Sequence, residues 1–251
     1  MSHIVPAIQR GPTQPIHLRP AVELAERVVL PGDPGRALAI AQAHLGSPRM
    51  FNTRRGLWGY TGRTEGGVHV TVQSTGMGGP SAAIVVEELI ALGARVLVRA
   101  GTCGAIDPAL SLGDLVTAGA ALATDGTSRA LGAGQCVAAD AELTSALVEV
   151  GGGRAITVAS TDLFYEDADG HGETRGAAGA AAVEMEAAAV MQVAARRGVR
   201  AGCVLLVSDV LDAGGRRRLD DEALEEGGLA LGEVALAALE ADAAKRGTTT
   251  R

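Results

Sequence analysis

Residues 70–107, VTVQSTGMGGPSAAIVVEELIALGARVLVRAGTCGAID, contain two apolar, strand-like runs, and each opens into a glycine-rich turn. The first run, with Val70 and Val72, stops at Gly76-Met77-Gly78-Gly79-Pro80. Ser81 is placed to cap a helix in which Ile84, Val85, Leu89 and Leu92 recur every three or four residues, and Gly93 permits a left-handed exit. Val96, Leu97 and Val98 form the second strand, which delivers Arg99 to Gly101-Thr102-Cys103-Gly104. In an α/β sheet, ligands bind outside the carboxyl ends of the strands. An arginine that ends an apolar strand is costly to bury unless an anion or a carboxylate meets it. A cation, a hydroxyl and free backbone amides together at this place describe an anion pocket.

The pattern also occurs upstream. Arg27-Val28-Val29-Leu30 reads as a strand ending in Pro31-Gly32-Asp33-Pro34-Gly35-Arg36, followed by a helix over Ala37 to His44. Gly32 can bring a backbone N–H close to an oxyanion, and Arg36, in the first helical turn, can point back toward the same oxygens. A Pro-Gly turn beside a solvated arginine is the plainer reading of one such turn. Two in one chain favour the pocket.

Further along, FNTRRGLWGYTG at 51–62 makes a turn and hairpin with Arg54 and Arg55 at its bend; 114–123 is a strand, 124–139 a polar, glycine-spotted loop and 141–150 a short amphipathic helix. A strand at 156–160 runs into Phe164 and Tyr165. Aromatic residues are only 2% of the chain, so two adjacent rings past a strand end carry information. They either stack on a flat heterocycle or plug the core. The stretch 166–176 is acidic, as a lid or an ordinary loop is.

Residues 177–198 hold an alanine-rich helix preceded by Val183-Glu184-Met185-Glu186. A carboxylate between apolar segments needs donors, and vicinal sugar hydroxyls supply two at a suitable separation. Glutamates answering the helix dipole are the competing explanation. The strand at 199–207 ends in Ser208-Asp209, where Asp209 can act as a proton donor if burial raises its pKa. A Gly-Arg loop at 211–218 and a helix over 222–245 complete the chain.

At 251 residues and 47% hydrophobic content, the sequence is expected to form one large α/β domain over 16–251, after a flexible arm at 1–15 that carries three prolines. The net charge of −7 offers no general attraction to nucleic acid or anionic lipid, which leaves a small molecule as the expected partner. Cys103, Cys136 and Cys203 are far apart and form neither a zinc pattern nor a disulfide framework. No metal site and a cytoplasmic location are therefore expected. Signal-peptide and membrane-spanning patterns are absent from the reading.

Taken in order, PGDPGR at 31–36, GMGGPS at 76–81, RAGTCGAI at 99–106, DLFY at 162–165, VEMEAAA at 183–189 and SD at 208–209 resemble the nucleoside phosphorylases of the hexameric purine nucleoside phosphorylase and uridine phosphorylase type. The resemblance runs from His17 to the last helix. It implies a single domain with a central mixed, partly barrel-like β-sheet flanked by helices. It also implies reversible phosphorolysis of a nucleoside, with inorganic phosphate as co-substrate, no cofactor, and a homo-oligomer, a hexamer built as a trimer of dimers.

By the same resemblance, Gly32, Arg36, Arg99 and Thr102 bind phosphate, with Arg55 lent by a neighbouring subunit. Met185 and Glu186 contact ribose, as does His17 from a neighbour. Phe164, Val183, Ser208 and Asp209 form the base site, and Asp209 and Arg99 are the catalytic pair. The uridine branch is expected to carry a glutamine and arginine pair after its rings, and EDADGHGE lacks it. Ser208-Asp209 favours a purine. The purine branch has an arginine about a dozen residues past its aspartate; here Arg216, Arg217 and Arg218 come earlier, and which of them assists is open. A uridine phosphorylase, a water-using nucleosidase and a non-catalytic nucleoside-binding module remain as alternatives. Arg36 and Arg99 weigh against the nucleosidase, and GMGGPS fits a dinucleotide fingerprint poorly.

Overall fold

The computed structural model describes residues 15–165, 178–212 and 215–247. The expected arm at 1–15, apart from Pro15, and the acidic stretch at 166–176 lie outside the described residues.

Strand β5 (Val96–Ala105) is the hub. Along one edge it pairs in parallel with β10 (Arg200–Asp212) over its whole length. Its other edge is shared. Parallel β1 (Arg27–Leu30) covers Val96 to Arg99, and antiparallel β9 (Ala182–Glu184) covers Gly104 and Ala105. Between Arg99 and Gly104 the two neighbours diverge, so the sheet forks where the arginine stands.

Through β9 the sheet continues to β8 (Ala155–Ser160) and β6 (Leu115–Ala123), and β6 pairs back to β10. These five strands, β5, β9, β8, β6 and β10, close on themselves as a small barrel. Beyond the fork, β1 leads to β4 (His69–Gln73), β3 (Gly59–Arg63) and β2 (Gly46–Asn52) as an open extension. Val, Leu and Ala fill the central strands because both faces are covered.

Helix α1 (Pro34–His44) and the C-terminal helix α6 (Asp221–Gly247) cover one face, together with α4 (Ala141–Glu149). Helices α2 (Gly79–Leu92) and α5 (Ala187–Arg197) cover the other, where Val85, Val86 and Leu89 meet Val190 and Val193. Inside the barrel, small residues such as Ala118, Ala121, Cys103 and Cys203 keep the interior narrow enough to fill.

Several local expectations change. Helix α2 starts at Gly79 with Gly78 (φ 85°) as its cap, and Ser81 instead donates its hydroxyl to the Thr75 carbonyl at 2.5 Å. The stretch 124–139 contains a one-turn helix, α3 (Gly126–Ala130), capped by Asp125, and strand β7 (Cys136–Ala138). The alanine-rich helix begins only at Ala187, because the preceding residues pair with β5 and β8 as β9. The expected loop at 211–218 is largely strand: β10 runs on to Asp212, and β11 (Gly215–Arg218) pairs with it antiparallel.

Candidate active site

The two glycine turns are bonded to each other. Thr75 N–H donates to the Pro31 carbonyl at 2.9 Å and Gly76 N–H to the Gly32 carbonyl at 3.0 Å. Gly76 has φ 74°, and a Cβ there would stand 2.6 Å from Ser81 Oγ, so this position requires glycine. The PGDPGR and GMGGPS segments thus form one wall at the carboxyl ends of β1 and β4. Thr102 and Gly104 are the two half-buried positions of an otherwise buried β5, and they open onto the fork.

Arg99 lies on the floor, 3% exposed. Its guanidinium folds back over Gly101, where a Cβ would be only 2.6 Å from Nη2. Two carboxylates meet it. Arg99 Nε donates to Glu184 Oε2 at 3.0 Å, and Nη2 lies 3.0 Å from the same oxygen and 2.5 Å from Glu186 Oε2. Burial works against the guanidinium charge, but Glu186 and then Glu184 outweigh it, and its pKa is raised. Glu186 turns its other oxygen, Oε1, to the backbone N–H of Gly78 at 2.5 Å. Burial and the Glu184 charge push the Glu186 carboxyl above its ordinary pKa, with Arg99 and the Gly78 N–H opposing them. Glu186 therefore joins the glycine turn to the arginine.

Arg36 approaches from α1. Asp33 caps that helix by accepting the Arg36 N–H at 2.7 Å, while the Arg36 side chain runs under α6, where a Cβ on Gly228 would come within 3.3 Å of Nε. Burial lowers the Arg36 pKa; Asp33 opposes this and the charge of Arg99 adds to it. Two cations close enough to repel, in a half-buried wall, form a receptor for an anion.

The second half of the site sits at the barrel rim. Opposite Cys103 and Gly104, β10 bulges between Val207 and Asp209, so Ser208 and Asp209 are both turned inward and buried. Asp209 pairs with Gly104, and Gly104 pairs with Val183, which lines up the three positions across adjacent strands. Val183 and Met185 are half-buried where Glu184 and Glu186 are buried, the alternation of an extended segment with one face toward the arginine. Asp209 Oδ2 accepts the Ser208 hydroxyl at 2.6 Å, and Oδ1 meets Arg216 Nε at 2.7 Å and Arg218 Nη1 at 3.3 Å. The Arg216 guanidinium also covers the Phe164 ring, 4.1 Å from its centroid. Phe164 is 47% exposed, so it does not plug the core.

This geometry corrects one expectation. Burial does press the Asp209 carboxyl upward, but the bonds from Arg216 and Ser208 and the charges of Arg216 and Arg218 prevail, and its pKa is lowered. In this state Asp209 is an ionised acceptor. The geometry also separates the three arginines: Arg216 and Arg218, two apart on β11, face Asp209, whereas Arg217 lines a cavity of about 640 Å³ with Ile106, Leu110 and Val210.

Two expected site residues are not brought to the cluster. His17 Nδ1 lies 2.7 Å from Glu88 Oε1, and Glu88 also accepts the N–H groups of Ile16, His17 and Leu18. Glu88 is the tenth residue of α2, about 15 Å along the helix from the Gly78 turn. Arg55 is exposed on a 3-10 turn with φ 59°, an uncommon conformation for a side chain of its size. Glu184 and Ser160 are the residues that sequence reasoning missed. The demand of a buried Arg99 for a carboxylate was the available signal for the first; for Ser160, which donates its hydroxyl to Glu184 Oε1, there was none.

Among the described residues no group of His, Cys, Asp and Glu is placed to hold a metal ion, and no helix is long and apolar enough to cross a membrane.

Residues 26–241 match the Phosphorylase superfamily. The chain is 40% identical over 227 residues to a DeoD-type purine nucleoside phosphorylase of Geobacillus kaustophilus, covering 87% of this chain and 93% of the relative. It is 36% identical over 200 residues to its counterpart in Clostridium novyi, covering 76% and 85%. Among solved structures, uridine phosphorylase from Vibrio fischeri, crystallised with 6-hydroxy-1-naphthoic acid, superposes with a TM-score of 0.76 at 25% identity, covering 86% of this chain and 91% of that one.

Proposed function

The chain belongs to the phosphorylase superfamily, and from that premise we propose that it catalyses reversible phosphorolysis of purine nucleosides to free base and pentose 1-phosphate. The observation that carries the reading is the Arg99 and Glu186 pair beside the Gly78 turn: one buried guanidinium able to take an oxyanion, and one carboxylate able to take a pair of hydroxyls.

In this reading phosphate occupies the wall formed by Gly32, Arg36, Arg99 and Thr102. Ribose lies over Met185 and Glu186, with its two hydroxyls on the Glu186 carboxylate. As the glycosidic bond breaks, the sugar gains oxocarbenium character, and the phosphate beneath it both neutralises that charge and attacks C1′. The bond from C1′ to the base breaks with its electron pair going to the purine, and a proton at N7 relieves the charge. Phe164 stacks on the base, with Val183 and Ser208 beside it. Asp209 is ionised while Arg216 holds it, so its action as general acid requires the incoming base to part that contact. Arg55 and His17 complete the phosphate and ribose sites from a neighbouring subunit, as in a hexamer assembled from dimers, and the enzyme works on nucleosides in the cytoplasm without a cofactor.

Ser208-Asp209 with its arginine partners favours a purine over the pyrimidine implied by the uridine phosphorylase likeness. The test is base release from inosine, adenosine and uridine with and without phosphate. Phosphate-dependent turnover of the purine nucleosides is expected. Equal rates in water alone, or turnover of uridine only, overturn it.

A further inference from the structure

Glu184 has no role in the site so far, yet it is the most connected side chain there. Its side chain has no exposed surface, and its Oε2 accepts four contacts. Two come from Arg99, through Nε and Nη2, both at 3.0 Å. Two come from the backbone N–H groups of Glu186 and Ala187, both at 2.8 Å. These are orphan donors at the start of α5, a helix whose own cap residue, Glu186, offers no side-chain cap. Glu184 supplies that cap from two residues upstream. Its other oxygen accepts the Ser160 hydroxyl, and Ser160 Oγ in turn accepts the Ala188 N–H at 2.9 Å.

We propose that Glu184 is a positioning residue for the reaction, fixing through one oxygen both the direction of Arg99 and the helix start that presents Glu186. The inference rests on the proposed phosphorolysis. Its physical content is a division of labour between two carboxylates around one guanidinium. Apart from Arg99, Glu184 is held by three donors, the Glu186 and Ala187 N–H groups and the Ser160 hydroxyl, and cannot follow Arg99; among the described residues the Glu186 carboxylate is held by Arg99 and the Gly78 N–H, so it can exchange its partner for a sugar. With Nε and Nη2 pinned by Glu184, the Arg99 guanidinium stays folded over Gly101, with Nη2 also on Glu186. Without the pin, the guanidinium collapses onto Glu186, which blocks the phosphate and ribose subsites together.

The test is Glu184→Gln, which keeps an acceptor for the helix N–H groups and removes the charge that holds Arg99. We expect the KM for phosphate and the KM for inosine to rise together, each by about tenfold, with kcat changed less. Ser160→Ala, which leaves the charge but loosens its seat, is expected to shift both in the same direction by two- to fivefold. A merely structural role predicts lower thermal stability with both KM values unchanged, and that result overturns the proposal. The decisive arm is a double-mutant cycle. If Glu184 acts through Arg99, then in an Arg99→Ala background Glu184→Gln adds little to the phosphate KM, whereas fully additive effects refute the coupling. Absence of any phosphate-dependent activity in the unaltered enzyme would refute phosphorolysis itself, an outcome distinct from normal kinetics in the Glu184→Gln protein.

Discussion

The two halves of the site are built in opposite ways. Arg99 and the groups that hold it are buried and come from several strands: Arg99 on β5, Glu184 on β9, Ser160 on β8. Around Asp209 only the aspartate and Ser208 are buried; the groups facing them, Phe164 and Arg216, are half-exposed and come from a strand end and a hairpin. In the proposed reading, the barrel fork takes the phosphate and the sugar, the parts common to every such reaction, on a frame tied by hydrogen bonds from several strands. What distinguishes substrates, the base, is left to side chains at the rim. Substitutions at the floor should therefore damage all substrates alike, and substitutions at the rim should change their ranking.

Arg99→Ala gives the largest expected effect. It removes the one cation on the floor and leaves Glu184 and Glu186 buried without it. Loss of a charge-stabilising group in a water-excluded site typically costs about 10²–10³ in rate. We expect kcat/KM for phosphate to fall by roughly that factor, and equally for inosine and adenosine. Thermal stability should fall as well, since a broken buried pair is strongly destabilising. Unchanged phosphate kinetics, or a loss confined to one nucleoside, would break the division between floor and rim.

Asp209→Asn comes next. The amide keeps the size of the side chain, but a group that can exchange a proton with N7 is gone, an effect expected at about 10², the lower end of what general acid catalysis supplies. Because the 6-amino and 6-oxo purines differ in how readily the ring takes up charge, adenosine turnover should suffer more than inosine turnover. Parallel steady-state assays on the two nucleosides check this, and an equal loss on both would place Asp209 with the floor rather than the rim.

The contrast between the halves also explains what was legible in the sequence. The fork could be read because its determinants are local: apolar runs of strand length, glycines at Gly76, Gly78 and Gly101 that the backbone needs, and an arginine after an apolar run, although β5 does not end at Arg99 as expected but runs on through the glycines to Ala105. The two glycine turns could be singled out, but their mutual bonds from Thr75 and Gly76 to Pro31 and Gly32 join distant segments and leave no pattern in either. At the rim the local signals misled. The bulge at Ser208 is a one-residue slip, invisible to period-two reasoning yet decisive for where Asp209 points. Three consecutive arginines hide the alternation that sends Arg216 and Arg218 to one face and Arg217 to the other, so β11 read as a loop. A one-turn helix such as α3 has no periodicity to detect. The condition set for Asp209 as a donor, that burial raise its pKa, is not met for the same reason: burial is inferable, while its arginine partners depend on the β10–β11 pairing.

Arg216→Ala sharpens the comparison through pH. Arg216 is the largest of the influences that hold the Asp209 carboxyl below its ordinary value against burial. In the unaltered enzyme Asp209 therefore loses its proton at low pH and is ionised at neutrality. Without Arg216 the opposing effect of burial is less compensated, and the carboxyl protonates at higher pH. Because a general acid must carry its proton, the limb on which kcat/KM for inosine falls as Asp209 ionises in the free enzyme should move upward in pH, with a rise of about tenfold in kcat/KM at neutral pH. A limb that stays in place would mean that the hairpin does not control the aspartate.

Phe164→Ala should give the smallest effect and the most selective one. The ring is half-exposed; among the described residues its ring contacts are the Tyr165 edge, with centroids 5.0 Å apart, and the Arg216 guanidinium. Its removal therefore costs little stability and takes away one stacking surface, worth about 0.5–1.5 kcal/mol for an aromatic pair, or roughly 2- to 10-fold in affinity. That loss should appear in the KM for the nucleoside and leave the KM for phosphate unchanged, because no bond connects Phe164 to Arg99 or Arg36. Replacing it with leucine, which keeps apolar cover but has no π face, separates the two contributions. If leucine restores the nucleoside KM, the ring excludes water rather than stacking. If phosphate KM rises in either variant, rim and floor are coupled and the frame is less rigid than its hydrogen bonds imply.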